Sequence, residues 1–213
     1  MPISPDTAMD AARPVLQLLD MAAVGVFALS GALAAAKARQ TIVTFAFFAA
    51  VTGIGGGTLR DLLIDAPVFW VGRSDYLLVC LAAAVLVWWL RADRWKLAAL
   101  LWFDALGMAA YAVVGSAKAL NYGLPPLSSI VMGVLTASFG GIIRDVLAGE
   151  PSVLLGREIY ISAAALGASV HVVGLVLGLD PVLAGLLGFV AGFTLRALAI
   201  SRGLSIPHYR ERD

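Results

Sequence analysis

Charged side chains interrupt several stretches of sequence that are otherwise apolar. Six of them form two matching sets, each an aspartate followed 40 residues later by an Arg-Asp pair, and they are Asp20, Arg60, Asp61, Asp104, Arg144 and Asp145. Charges in a membrane are costly, so such residues usually face the interior of a helix bundle and pair there. The sequence predicts two symmetric ion pairs, Asp20 with Arg60 and Asp104 with Arg144. Whether these pairs fix helix register or gate a pathway is left open.

Small and hydroxylated residues precede each Arg-Asp pair. The first group contains Thr52, Gly53, Gly55, Gly56, Gly57 and Thr58, and the second contains Thr136, Ser138, Phe139, Gly140 and Gly141. Each glycine costs a helix interior about 1 kcal/mol relative to alanine. We therefore expect both helices to be weakened, broken or kinked there. Non-helical backbone at membrane depth is tolerated where it is buried in protein or lines a water-filled cavity.

Such breaks have an electrostatic use. A half-helix that ends in the membrane presents free carbonyl groups and the negative end of its dipole, which attract a cation. The two groups therefore mark a candidate permeation path. The alternative is close helix packing, because small residues let helix backbones approach one another. Phe27 and Tyr111 are candidates for a constriction in this path or for ordinary core packing.

The chain contains an internal duplication. At an offset of 84 residues, Asp20 aligns with Asp104, Arg60-Asp61 with Arg144-Asp145, and Tyr76 with Tyr160. A fixed period of this kind is an architectural signal. Each unit contains three apolar spans, so the second unit enters the membrane from the opposite side. The halves are then inverted repeats about an axis in the membrane plane.

The elements that carry these residues follow from hydropathy. Of the 213 residues 61% are hydrophobic and 14% are charged, whereas soluble domains carry about 25% charged residues. A membrane-spanning helix needs about 20 apolar residues. We predict an all-helical, single-domain membrane protein with spans at 14–36, 41–64, 76–90, 97–117, 126–147, 159–179 and 182–200. Residues 14–90 form the first repeat, residues 97–179 the second, 182–200 a seventh helix, and 201–213 a cytoplasmic tail.

Basic residues predict the orientation. With the N-terminus outside and the C-terminus inside, nine lysines and arginines near the span ends lie on the inner side and three on the outer side. This bias follows the positive-inside rule.

Several functional classes are excluded by the sequence. A net charge of +1 gives no electrostatic basis for nucleic-acid binding. The single cysteine, Cys80, excludes a disulfide framework, and His171 and His208 do not form a metal-binding pair. The sequence contains no arrangement of nucleophile and base that would indicate an enzyme, and it predicts no cofactor.

The duplicated unit, the sequences GGGTLRD and GGIIRD, and the seventh span resemble the bacterial members of the trimeric intracellular cation (TRIC) channels. The resemblance implies a homotrimer in the bacterial inner membrane, with one pore per protomer lined by spans two and five and permeated by K⁺ and Na⁺. Animal members bind an inositol lipid through a basic segment of span five. The matching region here has Arg144 without the accompanying lysine, so a bound lipid is left open.

Two functions are compatible with these residues. The first is a passive cation channel. The second is an ion-coupled secondary transporter of a small solute such as glycine, because inverted repeats with broken helices also describe transporters. The middle of the predicted path offers glycines and hydroxyls, while its carboxylates lie nearer the ends. This distribution favours the channel.

Overall fold

The computed structural model describes residues 5–90, 96–151 and 159–205. Within these ranges the chain forms seven helices: α1 (Pro5–Lys37), α2 (Ile42–Leu63), α3 (Asp75–Trp89), α4 (Lys96–Asn121), α5 (Pro126–Ala148), α6 (Ile161–Val176) and α7 (Pro181–Arg202). The predicted spans agree with these bounds to within four residues, except at the start of α1. The all-helical fold class is therefore confirmed.

Five of the helices are long and apolar enough to cross a membrane: α1, α2, α4, α5 and α7. The two shorter apolar helices, α3 and α6, occupy equivalent places in the two repeats. Large apolar side chains remain on the outside of the bundle, and Trp89 and Leu177 are more than 70% exposed. Such a surface suits contact with lipid rather than with water.

The helix ends follow local sequence signals. The side-chain oxygen of Thr41 accepts a hydrogen bond from the backbone of Thr44 at the start of α2, and Asp180 caps α7 in the same way. Pro126 occupies the first turn of α5, where its missing N–H is not needed. Gly149 ends α5 in a left-handed conformation with φ of 67°, which glycine adopts without a steric penalty.

The first three helices pack in the same pattern as the next three. α1 contacts α2 and α3, as α4 contacts α5 and α6, and the two units meet where α1 packs on α4 and α2 on α5. α7 covers α4 and α6. Alanines such as Ala28, Ala32 and Ala112 are fully buried in this core, and their small side chains allow the helices to approach closely.

The expected breaks in α2 and α5 are absent from the described structure. Both helices are continuous from Ile42 to Leu63 and from Pro126 to Ala148. The helical hydrogen bonds persist because the glycines are buried against neighbouring helices, whose packing compensates for the low helix propensity of glycine. A bend of either helix axis at these positions remains a prediction.

Candidate ion pathway between α2 and α5

The glycine clusters form a crossing between α2 and α5. A Cβ atom on Gly56 would collide with the carbonyl oxygen of Thr136, and a Cβ atom on Gly140 would collide with the carbonyl oxygen of Thr52. These two contacts are equivalent under the 84-residue repeat, so the pseudo-two-fold axis passes through the crossing. The carbonyls predicted to face a cation are therefore covered by glycine in this structure.

The threonine side chains at the crossing turn towards α1 and α4. A Cβ atom on Gly31 would lie 2.6 Å from Oγ1 of Thr52, and one on Gly115 would lie 2.6 Å from Oγ1 of Thr136. Both threonines are completely buried. Their hydroxyls pack against neighbouring helices instead of lining an open space.

The remaining residues of the two groups are engaged locally. The Thr58 hydroxyl donates to the Ile54 carbonyl at 2.7 Å, and the Ser138 hydroxyl donates to the Val134 carbonyl at 2.8 Å. Gly55 faces the side chain of Ile143 on α5. The other members are placed as follows: Gly53 lies against α1 and Cys80, Gly57 against Phe69, Gly141 against Asp104 and Tyr160, and Phe139 is half-buried.

Phe27 and Tyr111 stack beside the crossing. Their ring centroids are 5.3 Å apart, the ring planes differ by 22°, and both side chains are buried. The Tyr111 hydroxyl donates a hydrogen bond of 2.9 Å to the carbonyl of Gly53. The pair therefore forms part of the packed core beside the crossing, and its role as a constriction remains a prediction.

One end of the α2–α5 pair, here called the second mouth, contains Asp104, Arg144 and Asp145. The predicted ion pair is confirmed, with Nη1 of Arg144 2.6 Å from Oδ1 of Asp104. Nη2 of Arg144 also lies 2.8 Å from Oδ1 of Asp145. The hydroxyl of Ser30 accepts a further hydrogen bond from Nη1 of Arg144 at 2.5 Å. The guanidinium is 1% exposed, so this end is closed by a fully buried network.

The opposite end, here called the first mouth, contains Asp20, Arg60 and Asp61, and the predicted Asp20–Arg60 ion pair is wrong. Arg60 Nε donates to Asp61 Oδ1 at 2.8 Å, and the Tyr76 hydroxyl donates to Asp20 Oδ2 at 2.8 Å. Among the described residues, Oδ1 of Asp20 and Nη1 of Arg60 have no hydrogen-bond partner. Arg60 and Asp20 therefore each keep a partner within their own repeat and are not bonded to each other.

A cavity of about 340 Å³ opens at the first mouth. Its lining includes Asp20, Arg60, Tyr76, Val114 and Lys118. Nζ of Lys118 lies 2.8 Å from Oδ1 of Asp61. The lining itself contains one carboxylate, Asp20, and three cationic side chains, Arg60, Arg73 and Lys118. Among the described residues, the first mouth thus has a polar cavity, while the charged groups of the second mouth lie in a buried ion-pair network.

Sequence reasoning did not find every polar residue of the two ends. The roles of Tyr76, Ser30 and Arg196 were missed; Arg196 is a buried arginine of α7 that lies 5.1 Å over the ring of Tyr160. A charge in an apolar span was a usable signal for Arg196, whereas a single serine in α1 gave none. His171 contacts the Ser116 hydroxyl at 2.9 Å, as expected of a satisfied core histidine. No cluster that could hold a resident metal ion occurs among the described residues.

Comparison with known proteins identifies the family. The family model described as "Glycine transporter" matches the chain twice, over residues 17–92 and 101–175. The two matches begin 84 residues apart, which confirms the duplication. A solved structure of the TRIC trimeric intracellular cation channel orthologue from Rhodobacter sphaeroides has a TM-score of 0.87 and 44% identity, and the alignment covers 89% of this chain and 99% of that chain. This chain belongs to the TRIC channel family.

Two curated relatives align with nearly the whole chain. A UPF0126 membrane protein of Vibrio cholerae is 38% identical, with 97% of this chain and 87% of the relative aligned. The UPF0126 inner membrane protein YadS of Escherichia coli strain K12 is 37% identical, with 90% and 94% aligned. The chain is thus a multi-pass membrane protein of a channel family and not a member of an enzyme family.

Proposed function

We propose that the protein is a channel for monovalent cations, K⁺ foremost and Na⁺ as well. The observation that carries the proposal is the symmetric α2–α5 crossing with a charged mouth at each end. Intramembrane charges that face a cavity usually mark an ion path. The related Rhodobacter sphaeroides protein is described as a cation channel, which supports the same function.

The path we propose runs from the first-mouth cavity along α2 and α5 to the second mouth. Asp20 lines the first-mouth cavity and Asp104 lies at the second mouth, so each end would offer a carboxylate oxygen to a passing cation. Conduction would require the glycine–carbonyl contacts at Gly56 and Gly140 to separate. The carbonyls of Thr52 and Thr136 would then become available to a partly dehydrated cation, as carbonyl rings are in selectivity filters.

The assembly and location belong to the same proposal. We infer a homotrimer in the inner membrane of a bacterium, with one pore in each protomer. The description of the related structure as trimeric supports the assembly, and the description of YadS as an inner membrane protein supports the location. Membrane lipids are the other expected partners.

Recording from purified protein in planar bilayers tests the channel. We expect discrete current steps in KCl, with a reversal potential near the K⁺ equilibrium potential when a KCl gradient is imposed. Smaller steps in NaCl would indicate the expected preference for K⁺. A reversal potential near that of Cl⁻, or the absence of unitary steps from trimeric protein, would overturn the proposal.

A second candidate is ion-coupled transport of glycine. It is favoured by the family description and by a structure in which one mouth is open while the other is closed. Proteoliposomes separate the two functions. Saturable, gradient-driven uptake of radiolabelled glycine without unitary currents would establish the transporter and exclude the channel.

A further inference from the structure

The two mouths are built from equivalent residues that are in different states. At the second mouth, Oδ1 of Asp104 and Nη1 of Arg144 are 2.6 Å apart. At the first mouth, Oδ1 of Asp20 and Nη1 of Arg60 are the corresponding groups. Within the described ranges, neither of these atoms has a hydrogen-bond partner. Because the repeat aligns all four residues, something outside the charged pairs must account for the difference.

A serine in α1 and its equivalent in α4 differ between the mouths. Ser30 is completely buried, and its hydroxyl accepts a hydrogen bond of 2.5 Å from Nη1 of Arg144. The residue 84 positions later is Val114, which lines the first-mouth cavity together with Arg60. Valine has no hydroxyl, so it offers the guanidinium no acceptor where the other mouth provides one.

The unpartnered atoms make the open mouth energetically costly. Arg60 is 1% exposed and Asp20 is 9% exposed, so water solvates these groups poorly. Asp61 and Tyr76 each satisfy one atom of Arg60 and Asp20, but Nη1 of Arg60 and Oδ1 of Asp20 are buried without a hydrogen bond among the described residues, which is unfavourable. A conformation in which Asp20 and Arg60 pair would relieve that cost. The repeat shows what such a pair looks like, because the second mouth already contains it.

We propose that Ser30 is a positioning residue that holds the second mouth closed, and that Val114 at the equivalent position leaves the first mouth open. Ser30 acts through Arg144: it fixes one amino group of the guanidinium so that the same group faces Asp104. Introducing a hydroxyl at position 114 supplies the matching acceptor for Arg60. The residue pair 30/114 therefore sets which mouth is closed. The K⁺ flux test of this inference rests on the proposed channel function, whereas the thiol-modification test does not.

The first test measures access to the cavity at the first mouth. Ala117 lines the cavity and is buried, so a thiol reagent reaches Ala117→Cys only through the open mouth. The protein with the buried native Cys80 alone provides the blank. In trimeric protein in nanodiscs, Val114→Ser is expected to slow modification of Ala117→Cys by about tenfold, the factor that one hydrogen bond to a charged group contributes to an equilibrium.

A matched control separates this effect from a general response to a buried serine. Val113→Ser introduces the same hydroxyl one residue away, on the side that packs near Gly185 of α7. It is expected to leave the modification rate within about twofold of the parent, since its hydroxyl faces no pathway arginine. Equal rates in Val114→Ser and the parent, or equal slowing by both serine variants, would overturn the proposal.

The second test measures the mouth that Ser30 holds. Ser30→Ala removes the hydroxyl with little change in volume and is expected to raise K⁺ flux through proteoliposomes by about tenfold, for the same hydrogen-bond reason. Ser30→Thr keeps a hydroxyl and is expected to restore the parental flux. A flux in Ser30→Ala equal to that of the parent would overturn the role of Ser30. If the parent protein shows no K⁺ flux, the proposed channel function is wrong. The thiol-modification test then decides the proposal about Ser30 and Val114 on its own.

Discussion

At the scale of single residues, two equivalent arginines have different numbers of hydrogen-bond partners in the same chemical setting. Arg144 bonds two aspartates and Ser30, while Arg60 bonds Asp61 through Nε and leaves Nη1 unpartnered among the described residues. The contribution of a buried charged group to the free energy of unfolding depends on how many hydrogen bonds and ion pairs it makes. Mutations at equivalent positions should therefore have unequal effects.

Asp104→Asn is expected to destabilise the protein by about 3–5 kcal/mol, because it leaves Arg144 buried with one partner fewer. Asp20→Asn should cost less, since Oδ1 of Asp20 has no partner to lose within the described part of the chain. Thermal unfolding of the purified trimers measures both. Lys37→Gln is the control, because the Lys37–Glu150 pair is more than 40% exposed and contributes about 0–1 kcal/mol. Equal loss in Asp104→Asn and Lys37→Gln would contradict the expectation.

Tyr111→Phe tests the hydroxyl that binds the Gly53 carbonyl. The loss of this hydrogen bond is expected to cost about 0.5–1.5 kcal/mol and to loosen α4 from α2. K⁺ flux through proteoliposomes should rise as a result. Tyr122→Phe is the matched control, because Tyr122 is 47% exposed at the end of α4. Parental flux in Tyr111→Phe would assign the tyrosine to core packing.

At the scale of helices, the α2–α5 crossing determines how the two repeats fit together. The backbones come into direct contact because Gly56 and Gly140 carry no side chain. Gly56→Ala and Gly140→Ala are each expected to destabilise the trimer by about 1–3 kcal/mol through overpacking, and to alter K⁺ flux by moving α2 and α5 apart.

Gly72→Ala is the control for the crossing, because an added Cβ there meets nothing within 4 Å among the described residues. Its unfolding temperature and its flux should match those of the parent protein. If Gly56→Ala and Gly140→Ala behave like this control, the crossing is not as tight as the described contacts indicate.

The helices themselves were predictable, whereas some of their contacts were not. Hydropathy located α2 and α5 because membrane spans need long apolar runs, and the repeat located Asp104 beside Arg144. The Asp20–Arg60 pair failed because depth along a helix axis does not reveal competing partners. Asp61 and Tyr76 bind Arg60 and Asp20 at this end, and Val114 offers no hydroxyl at the position where Ser30 binds Arg144. The glycine groups were interpreted as breaks because helix propensity was weighed without the packing of Thr52 and Thr136 against them.

At the scale of the whole molecule, the duplication was predictable because charged and aromatic residues recur at one offset. The order of α1 to α3 is repeated by α4 to α6, and α7 lies outside the repeat. Ser30 could not be assigned a role in advance, because a single hydroxyl in an apolar helix is common. Its importance emerges once the two ends are compared in three dimensions.

The orientation in the membrane remains a prediction that labelling can test. We expect the N-terminus outside, because more basic residues then lie inside. In intact cells, an impermeant maleimide should label Arg73→Cys and should not label Lys37→Cys; both positions are exposed in the structure. After the cells are permeabilised, both should react. Arg73 lines the first-mouth cavity, so the expected pattern places the first mouth outside, and the reverse pattern in intact cells would place it inside.

The unequal mouths have an electrical consequence. A pore with identical ends would pass the same current at equal voltages of opposite sign. Here one end has a cavity of about 340 Å³ beside Lys118, and the other has a buried pair stabilised by Ser30. Ions that arrive from the two sides therefore meet different barriers, and we expect the open channel to rectify even in symmetrical KCl.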